Sequence, residues 1–451
     1  MSSIPPASVP PRNLSLKFGL AVVAVALAAA SFAIAFRAAL GFVVHRWGNG
    51  PDVVSAARLA PVWLRLLAPA VGGLLAGLLG ILVARAPGGQ GVADVMEAVV
   101  LGRVRLSMRV TLLKSLSSWL AIASGGSLGR EGPLIQFGGA AGKWLSDRFA
   151  LSMTRTRVLI AAGTAAGFSA AYNTPLAAVL FVLEVVVGVV ALDTIVPVLI
   201  ATVVASALTR AVVGEGPIYG QRAFQLSSPF ELLAFGGLGL FAAVGAQAFM
   251  RLLSVGEILF RQRWLQPPWR SALGGLLAGA IVAVLPEVAG NGYEPLNALI
   301  NGSYLVPFTI VLLVGKCLAT TASVSSGSPG GVFTPTLLLG GGLGVIYACA
   351  LTALGLHLGP AGGYALVGMA AATAASTHAP MMAAVMVFEL SGDYAIALPL
   401  VLATAIATFA SRRLRSDSIY TAELRQRGVA WQLTLDGRRP ANHETAGRRS
   451  E

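Results

Sequence analysis

Long apolar runs alternate with short polar or glycine-rich breaks along nearly the whole chain. The runs are too long and too continuous for the alternating strands of a β-barrel, so they predict α-helices. They lie near residues 18–44, 60–84, 107–123, 134–149, 156–172, 175–190, 192–212, 229–260, 268–287, 304–323, 333–356, 361–377, 380–390 and 395–411. Several are shorter than the roughly 20 residues that a spanning helix needs, which predicts broken helices that meet inside the protein.

The composition places most of this chain in a membrane. Hydrophobic residues make up 56% of the chain and charged residues only 11%, whereas a soluble domain carries about a quarter charged residues. The 53 glycines suit close helix packing in lipid. The sequence therefore predicts an all-α polytopic membrane protein.

Positive charge is concentrated at the two ends of the chain. The formal net charge is +13, and arginines are frequent after residue 411. Positive flanks mark the cytoplasmic side of a membrane protein, so both termini are expected in the cytoplasm. The same charges suit anionic lipid and do not indicate a nucleic-acid partner. Residues 412–428 are interpreted as one helix that leaves the membrane on that side.

Polar segments divide the chain into two membrane halves. Residues 1–14 are proline-rich and predict a flexible tail. Residues 15–212 form the first transmembrane repeat, residues 213–228 the loop between repeats, and residues 229–430 the second repeat. Residues 431–451 form a polar C-terminal tail that is too short for a folded domain.

The two halves correspond in sequence. Pro133 and Pro335 are 202 positions apart, and segments 165–184 and 370–389 align at an offset of 205, each ending in a glutamate. Similar offsets over some 60 positions predict an internal repeat. Chance alignment of apolar, glycine-rich text is the alternative, and the sequence leaves open whether the repeats are inverted.

Two glycine-rich loops begin helices at corresponding places. Residues 129–133 read GREGP and residues 330–335 read GGVFTP. A proline suits the first turn of a helix, and the preceding glycines leave backbone N–H groups free for a ligand. Helix N-termini bind anions, so two of them at one point predict a site for a permeant anion.

Glu131 lies within the first of these loops. A carboxylate at an anion site competes with the anion for the same N–H groups, and a protonated one would withdraw. Ionisable residues at membrane depth are usually functional. Glu131 is therefore predicted to gate the pore and to carry a proton. An ion pair with the adjacent Arg130 is the structural alternative.

Together, GREGP, GGVFTP, the segment AAGFSAAYNTPLAAVLFVLE and the late Tyr420 resemble the CLC family of chloride channels and chloride/proton antiporters. The resemblance covers residues 18–428. It implies a homodimer with one pore per subunit, built from broken and re-entrant helices in an inverted repeat. The short C-terminus resembles prokaryotic members without regulatory domains, which implies a multi-pass protein of the cell inner membrane.

The resemblance also implies an anion-binding set made mainly of backbone N–H groups and the Tyr420 hydroxyl. The set comprises Gln90, Arg130, Glu131, Gly132, Val332, Phe333, Thr334 and Tyr420. Gln90 replaces a serine of the family, which leaves the choice between chloride and anions such as nitrate or fluoride open. A glutamine amide still donates, but it also brings an acceptor.

A second departure follows Glu184, where exchangers of the family usually carry an internal proton glutamate. Val185 occupies that position. The chain is thus expected to move small monovalent anions, chloride by default, as a voltage- or pH-gated channel or as an antiporter. The sequence does not decide between these two.

Two rival hypotheses come from the carboxylates and from a short motif. Glu131, Glu184 and Glu389 would be the cation ligands of a different inverted-repeat transporter. Residues 125–129 match G-x-S-x-G, so an intramembrane serine protease is a remote alternative, with His378 (otherwise a packed helix-start residue) as its only histidine at plausible depth.

No enzyme activity, metal site or cofactor is expected. Cys317 and Cys349 lie in apolar runs and form no metal-ligand pattern. Lys114 and Lys316 are lone lysines in apolar runs and are interpreted as paired or snorkelling charges. Chloride is the transported ligand, and the expected partners are a second copy of the chain, lipid, small anions and protons.

Overall fold

A computed structural model describes residues 16–83, 91–100, 106–188, 192–214, 219–220, 224, 226–262, 265–429, 431–434 and 437–440. This part of the chain is almost entirely helical. Its α-helices are α1 (Leu16–Gly48), α2 (Val53–Leu59), α3 (Val62–Val83), α4 (Val92–Val100), α5 (Met108–Ala123), α6 (Glu131–Arg148), α7 (Met153–Tyr172), α8 (Pro175–Phe181), α9 (Leu192–Val213), α10 (Glu231–Phe260), α11 (Trp269–Val284), α12 (Tyr293–Ile300), α13 (Val306–Ser325), α14 (Phe333–Ala353), α15 (Ala361–Thr377), α16 (Pro380–Ser391), α17 (Ala397–Leu414) and α18 (Ile419–Gln426).

Each predicted apolar run contains a helix, and the all-α, polytopic class is confirmed. Seven helical segments of the described residues are long and apolar enough to cross a membrane. Others are short and broken: α8 passes directly into a π-helical segment, Val182–Val187. Residues 1–14, predicted as a tail, lie outside the described residues.

The prediction of one helix over residues 412–428 is wrong. The helix α17 ends at Leu414, and Arg415 is extended (φ −152°, ψ 127°). A new helix, α18, then starts behind Ser418, whose hydroxyl accepts from the N–H of Thr421 at 3.2 Å while the Thr421 hydroxyl accepts from the N–H of Ser418 at 2.8 Å. This reciprocal capping favours a fresh helix start over continuation.

The described C-terminal residues contain a hairpin that the sequence interpretation did not foresee. The strands β1 (Trp431–Thr434) and β2 (Gly437–Pro440) pair antiparallel, with Trp431 opposite Pro440. Four short helices, α2, α4, α12 and α18, were also not predicted as separate elements. Each spans only seven to nine residues, which is too short for a clear hydrophobic period.

Glycines bring the helices of each half into backbone contact. A methyl group on Gly138 of α6 would lie 1.9 Å from the carbonyl oxygen of Gly163 on α7, and one on Gly340 of α14 would lie 2.3 Å from that of Gly368 on α15. Only glycine fits at such distances. The equivalent contact in both halves explains part of the high glycine content and supports the repeat.

Two glutamates join the halves by capping helices reciprocally. The Glu184 carboxylate accepts from the two backbone N–H groups that follow Pro380, at 3.3 and 2.8 Å. The Glu389 carboxylate accepts from the two that follow Pro175, at 3.0 and 2.8 Å. A carboxylate at a helix N-terminus accepts from free N–H groups and interacts favourably with the positive end of the helix dipole. These glutamates therefore stabilise α16 and α8.

Candidate functional site

The two glycine-rich loops meet through a pair of backbone hydrogen bonds. The N–H of Gly129 donates to the carbonyl of Gly331 at 2.7 Å, and the N–H of Gly331 donates to that of Gly129 at 2.8 Å. The helices α6 and α14 each begin two residues later. The sequence prediction that both helix N-termini converge is therefore confirmed.

The side chain of Glu131, in the first half of the chain, contacts residues of the second half. It is 3% exposed, and its Oε1 accepts from the N–H of Phe333 at 3.0 Å. Its Oε2 accepts from the hydroxyl of Thr334 at 3.1 Å. The carboxylate thus occupies the N-terminus of α14, where anions bind most readily.

Two glycines make room for this carboxylate. A methyl group on Gly331 would lie 1.9 Å from Oε1 of Glu131, and one on Gly129 would lie 2.2 Å from Oε2. Any other residue at either position would claim the space that the carboxylate fills. The sequence explained these glycines by backbone freedom, whereas the structure shows that they are needed for space.

A cavity of about 420 Å³ reaches this site. It brings together most of the predicted anion ligands: Glu131, Gly132, Val332, Phe333 and Tyr420 all line it. Tyr420 stands on α18, where its ring packs edge-on against Phe181 at 6.1 Å between centroids. Thr334 does not line the cavity, but its hydroxyl donates to Oε2 of Glu131, which does.

Among the other predicted residues, Arg130 stands apart from this cluster. The guanidinium of Arg130 covers the ring of Tyr293, 5.2 Å from its centroid, so the alternative of a Glu131–Arg130 ion pair is not what the side chains form. Gln90 lies outside the described residues. Its neighbour Gly91 does line the cavity and donates its N–H to Oε1 of Gln136 at 3.2 Å.

Val185 lies in the π-helical segment and is 1% exposed. Its apolar side chain is packed where the family resemblance would place a proton-carrying glutamate. The adjacent Glu184 is engaged in capping α16, as described above. In the described part of the chain, the carboxylate at this place is therefore bound to a helix N-terminus.

A buried ion cluster fixes the elements around the cavity. Asp94 on α4 accepts from Lys114 at 3.3 Å, from Gln136 at 3.1 Å and from Arg427 at 2.8 Å. These contacts tie α4 to α5, to α6 and to the end of α18. Lys114 is thus paired, as predicted. Asp94 connects three elements around the site, although no motif in the sequence indicated this role.

Lys316 is also satisfied within the protein. It is 1% exposed, and its Nζ donates to the carbonyl oxygens of Val288 at 3.0 Å and Gly290 at 2.7 Å. The segment that carries these carbonyls also contacts the first glycine loop, because the N–H of Leu128 donates to the carbonyl of Gly290. The lysine therefore supports the loop that precedes Glu131.

The serine of the G-x-S-x-G pattern has a structural partner. Ser127 is buried, and its hydroxyl pairs with that of Thr320 at 2.9 Å. His378 ends α15 in a left-handed conformation (φ 59°) and its ring contacts the Ser411 hydroxyl at 3.3 Å. It is thus a helix-end residue, contrary to the predicted helix start, and the two residues belong to separate clusters.

Known proteins resemble this chain along most of its length. The family model described as "Voltage gated chloride channel" matches residues 72–412. A ClcB-like chloride channel protein of Ralstonia nicotianae is 39% identical, over 87% of this chain and 92% of its own. The voltage-gated ClC-type chloride channel ClcB of Citrobacter koseri is 36% identical, over 88% and 95%.

Solved structures share the fold. A slow cyanobacterial Cl⁻/H⁺ antiporter superposes with a TM-score of 0.82 at 24% identity, over 92% of this chain and 99% of that one. A CLC-type fluoride/proton antiporter gives 0.74 at 24% identity, over 89% and 96%. The family model matches three quarters of this chain and the two relatives are more than a third identical to it, so the chain belongs to the CLC family.

Proposed function

We propose that this protein moves small monovalent anions, chloride by default, across a membrane through a pore gated by Glu131. The observation that carries the proposal is the position of its carboxylate, which accepts the N–H of Phe333 at the start of α14. A carboxylate held there stands in for the anion. The relatives named as chloride channels support the choice of chloride.

Gating follows from competition for one set of donors. The ionised carboxylate fills the site, so an anion cannot pass. When Glu131 is protonated it loses its charge and its hold on the N–H groups weakens. An anion then binds the N–H groups of Arg130, Glu131, Gly132, Val332, Phe333 and Thr334, with Gln90 and the Tyr420 hydroxyl beside them.

The charge of the cavity supports an anion as the transported ion. Four arginines line it, Arg261, Arg270, Arg415 and Arg427, against Glu257 and Glu423 besides Glu131. Arg427 pairs with Asp94 and Glu423, which leaves Arg261, Arg270 and Arg415 against Glu257. An excess of positive charge in a narrow cleft raises the local concentration of anions. The rival cation-coupled transporter would need the opposite excess.

The family consists of channels and transporters and not of enzymes, and the partners of Ser127 agree with that. Glu184 and Glu389, which a cation-coupled transporter would use as ligands, cap helices instead. We therefore retain anion movement as the function. The protein needs no cofactor for it, since the anion's ligands are its own N–H and hydroxyl groups.

The assembly and location follow the family. We infer a homodimer with one pore in each subunit, multi-pass in the cell inner membrane, with both termini in the cytoplasm. The arginines at residues 412, 413 and 415, at the end of α17, support this orientation by the positive-inside rule.

Two modes of transport remain open, and one observation favours the passive one. Val185 is buried and apolar, so it cannot carry a proton from the interior to Glu131. The test is a reversal-potential measurement on purified protein in lipid bilayers, under a chloride gradient and then with a proton gradient added. A potential that follows chloride alone indicates a channel, and a shift with the proton gradient indicates exchange. The absence of any anion current contradicts the proposal.

A further inference from the structure

A chain of three hydrogen-bonded groups runs from the gate into the first half of the protein. The Thr334 hydroxyl lies 3.1 Å from Oε2 of Glu131 and 3.0 Å from the hydroxyl of Tyr172. All three side chains are buried, at 3%, 1% and 1% exposure for Glu131, Thr334 and Tyr172. The family motifs led to Glu131 and Thr334, whereas Tyr172 lies in the segment at residues 165–184 and received no role from the resemblance.

The number of protons fixes the direction of these bonds. An ionised carboxylate only accepts, and each hydroxyl has a single proton to give. Thr334 must therefore donate to Glu131, and Tyr172 must donate to Thr334. Successive hydrogen bonds aligned in this way polarise and strengthen one another at low dielectric. The ionised form of Glu131 is the form that this arrangement favours.

Packing holds Tyr172 in its place. It is the last residue of α7. Its ring lies 5.0 Å from that of Phe168, 5.6 Å from that of Phe333 and 6.3 Å from that of Tyr293, between centroids. A tyrosine enclosed by three aromatic rings has little freedom to turn its hydroxyl elsewhere.

We propose that Tyr172 is a positioning residue which, through Thr334, holds the Glu131 carboxylate in the anion site. The two hydroxyl groups of Tyr172 and Thr334 are called the hydroxyl latch below. This inference rests on the proposed gating function and deepens it. It assigns part of the gate's closed-state stability to a residue that never touches the anion.

Other titratable and charged groups surround the gate on several elements. They are Tyr172 on α7, Tyr293 on α12, Lys316 on α13 and Tyr420 on α18, with Arg130 next to Glu131. Further along α6, Gln136 donates to Asp94 of α4, which also pairs with Lys114 of α5. Lys316 donates to backbone carbonyls and Arg130 covers an aromatic ring. Both cationic side chains are thus engaged elsewhere, whereas the Thr334 hydroxyl of the latch contacts the Glu131 carboxylate directly.

Loss of the hydroxyl latch has two expected consequences. The ionised carboxylate competes less well with chloride, so chloride binds more tightly at neutral pH. Less acid is then needed to vacate the site, so the pH of half-maximal anion flux rises. In Tyr172→Phe the maximal flux at low pH stays unchanged, because Tyr172 reaches Glu131 only through Thr334 and does not act once Glu131 has withdrawn.

The first measurement is chloride affinity of the purified full-length protein by titration calorimetry at neutral pH. Tyr172→Phe and Thr334→Val are each expected to tighten chloride binding on the order of fivefold, the effect of about one hydrogen bond. Thr334→Ser keeps the hydroxyl and should retain wild-type affinity. The double variant should match Thr334→Val alone, since Tyr172 acts through Thr334. Thr336→Val is the matched control, because its buried hydroxyl donates to the carbonyl of Val332, one turn earlier.

The second measurement is the pH profile of chloride flux from liposomes. A merely structural role of Tyr172 lowers the maximal flux and leaves the pH midpoint in place, which contradicts the inference. The variant Glu131→Gln distinguishes failure of the hydroxyl latch from failure of the gating function. If Glu131→Gln tightens chloride binding and Tyr172→Phe does not, the hydroxyl latch is refuted and the gate stands. If Glu131→Gln has no effect, the gating function falls and the latch with it.

Discussion

The carboxylate of Glu131 lies directly over the Cα atoms of two glycines, one from each half of the chain. Its hydrogen bonds explain what holds it, and the glycines explain why it fits. A methyl group on either glycine would come within 2.3 Å of a carboxylate oxygen. The observed position of the Glu131 carboxylate therefore requires glycine at residues 129 and 331.

Substitution of Gly331 by alanine tests this fit. The backbone there lies outside the left-handed region, so Gly331→Ala adds only a methyl group, 1.9 Å from Oε1 of Glu131. The carboxylate should be displaced, and chloride flux from liposomes at neutral pH should rise toward its low-pH level. Gly80→Ala, where a methyl group meets no atom within 4 Å, is the control. A wild-type pH response in Gly331→Ala would show that the carboxylate does not need this space.

Gln90 supplies the second prediction at this scale. Where the family has a serine, this residue offers both a donor and an acceptor, and an acceptor in the proposed anion-binding set would penalise some anions more than others. Gln90→Ser is expected to change the permeability ratios among chloride, nitrate, bromide and fluoride, measured from reversal potentials. Unchanged ratios would remove Gln90 from the selectivity determinants.

Among the helices, the reciprocal caps have the clearest energetic consequence. Glu389→Ala leaves the two N–H groups at the start of α8 without their carboxylate, which should cost about 1–2 kcal/mol of stability. The readout is the melting temperature of the purified protein in detergent, and Glu184→Ala should give a similar loss at α16. Asp147→Asn, at an exposed i,i+4 pair with Lys143, is the control with little effect. Equal melting temperatures for all variants would refute a capping role.

Sequence periodicity predicted the long helices because each buries a continuous apolar stretch. It failed at short elements such as α4 and α18, which span only nine and eight residues. The break before α18 did have a local signal, the Ser418 and Thr421 pair, which the interpretation of residues 412–428 as one helix did not use. Each glutamate of the reciprocal caps follows a helix-starting proline by nine residues, Glu184 after Pro175 and Glu389 after Pro380. This equal spacing was visible in the sequence, but only the tertiary structure shows which helix each glutamate caps.

The candidate site was predictable to the extent that it lies in two short motifs. Glu131, Phe333 and Thr334 come from such motifs and were expected to meet. Tyr172 is 162 positions from its partner Thr334, and Asp94 is 333 positions from Arg427. Contacts over such separations depend on the whole fold, so no local pattern in one sequence indicates them.

At the scale of the molecule, the two halves of the chain complete one another at the gate. The first half contributes Glu131 and Tyr172, and the second half contributes the helix N-terminus and Thr334. An arginine-lined cavity leads to this point, and the buried cluster around Asp94 keeps its walls together. The carboxylate comes from one half of the chain and the helix N-terminus that holds it comes from the other, so this arrangement needs both halves.

The pH dependence of chloride flux in Glu131→Gln tests the central claim most directly. Glutamine keeps the size of the side chain but cannot be ionised, so it cannot compete as an anion for the N–H groups of α14. Purified wild type and Glu131→Gln are reconstituted in liposomes, and chloride efflux is followed across a range of pH. If Glu131 is the gate, the wild type shows acid-activated flux and the variant shows a flux independent of pH. A variant that keeps the wild-type pH response would contradict this gating role.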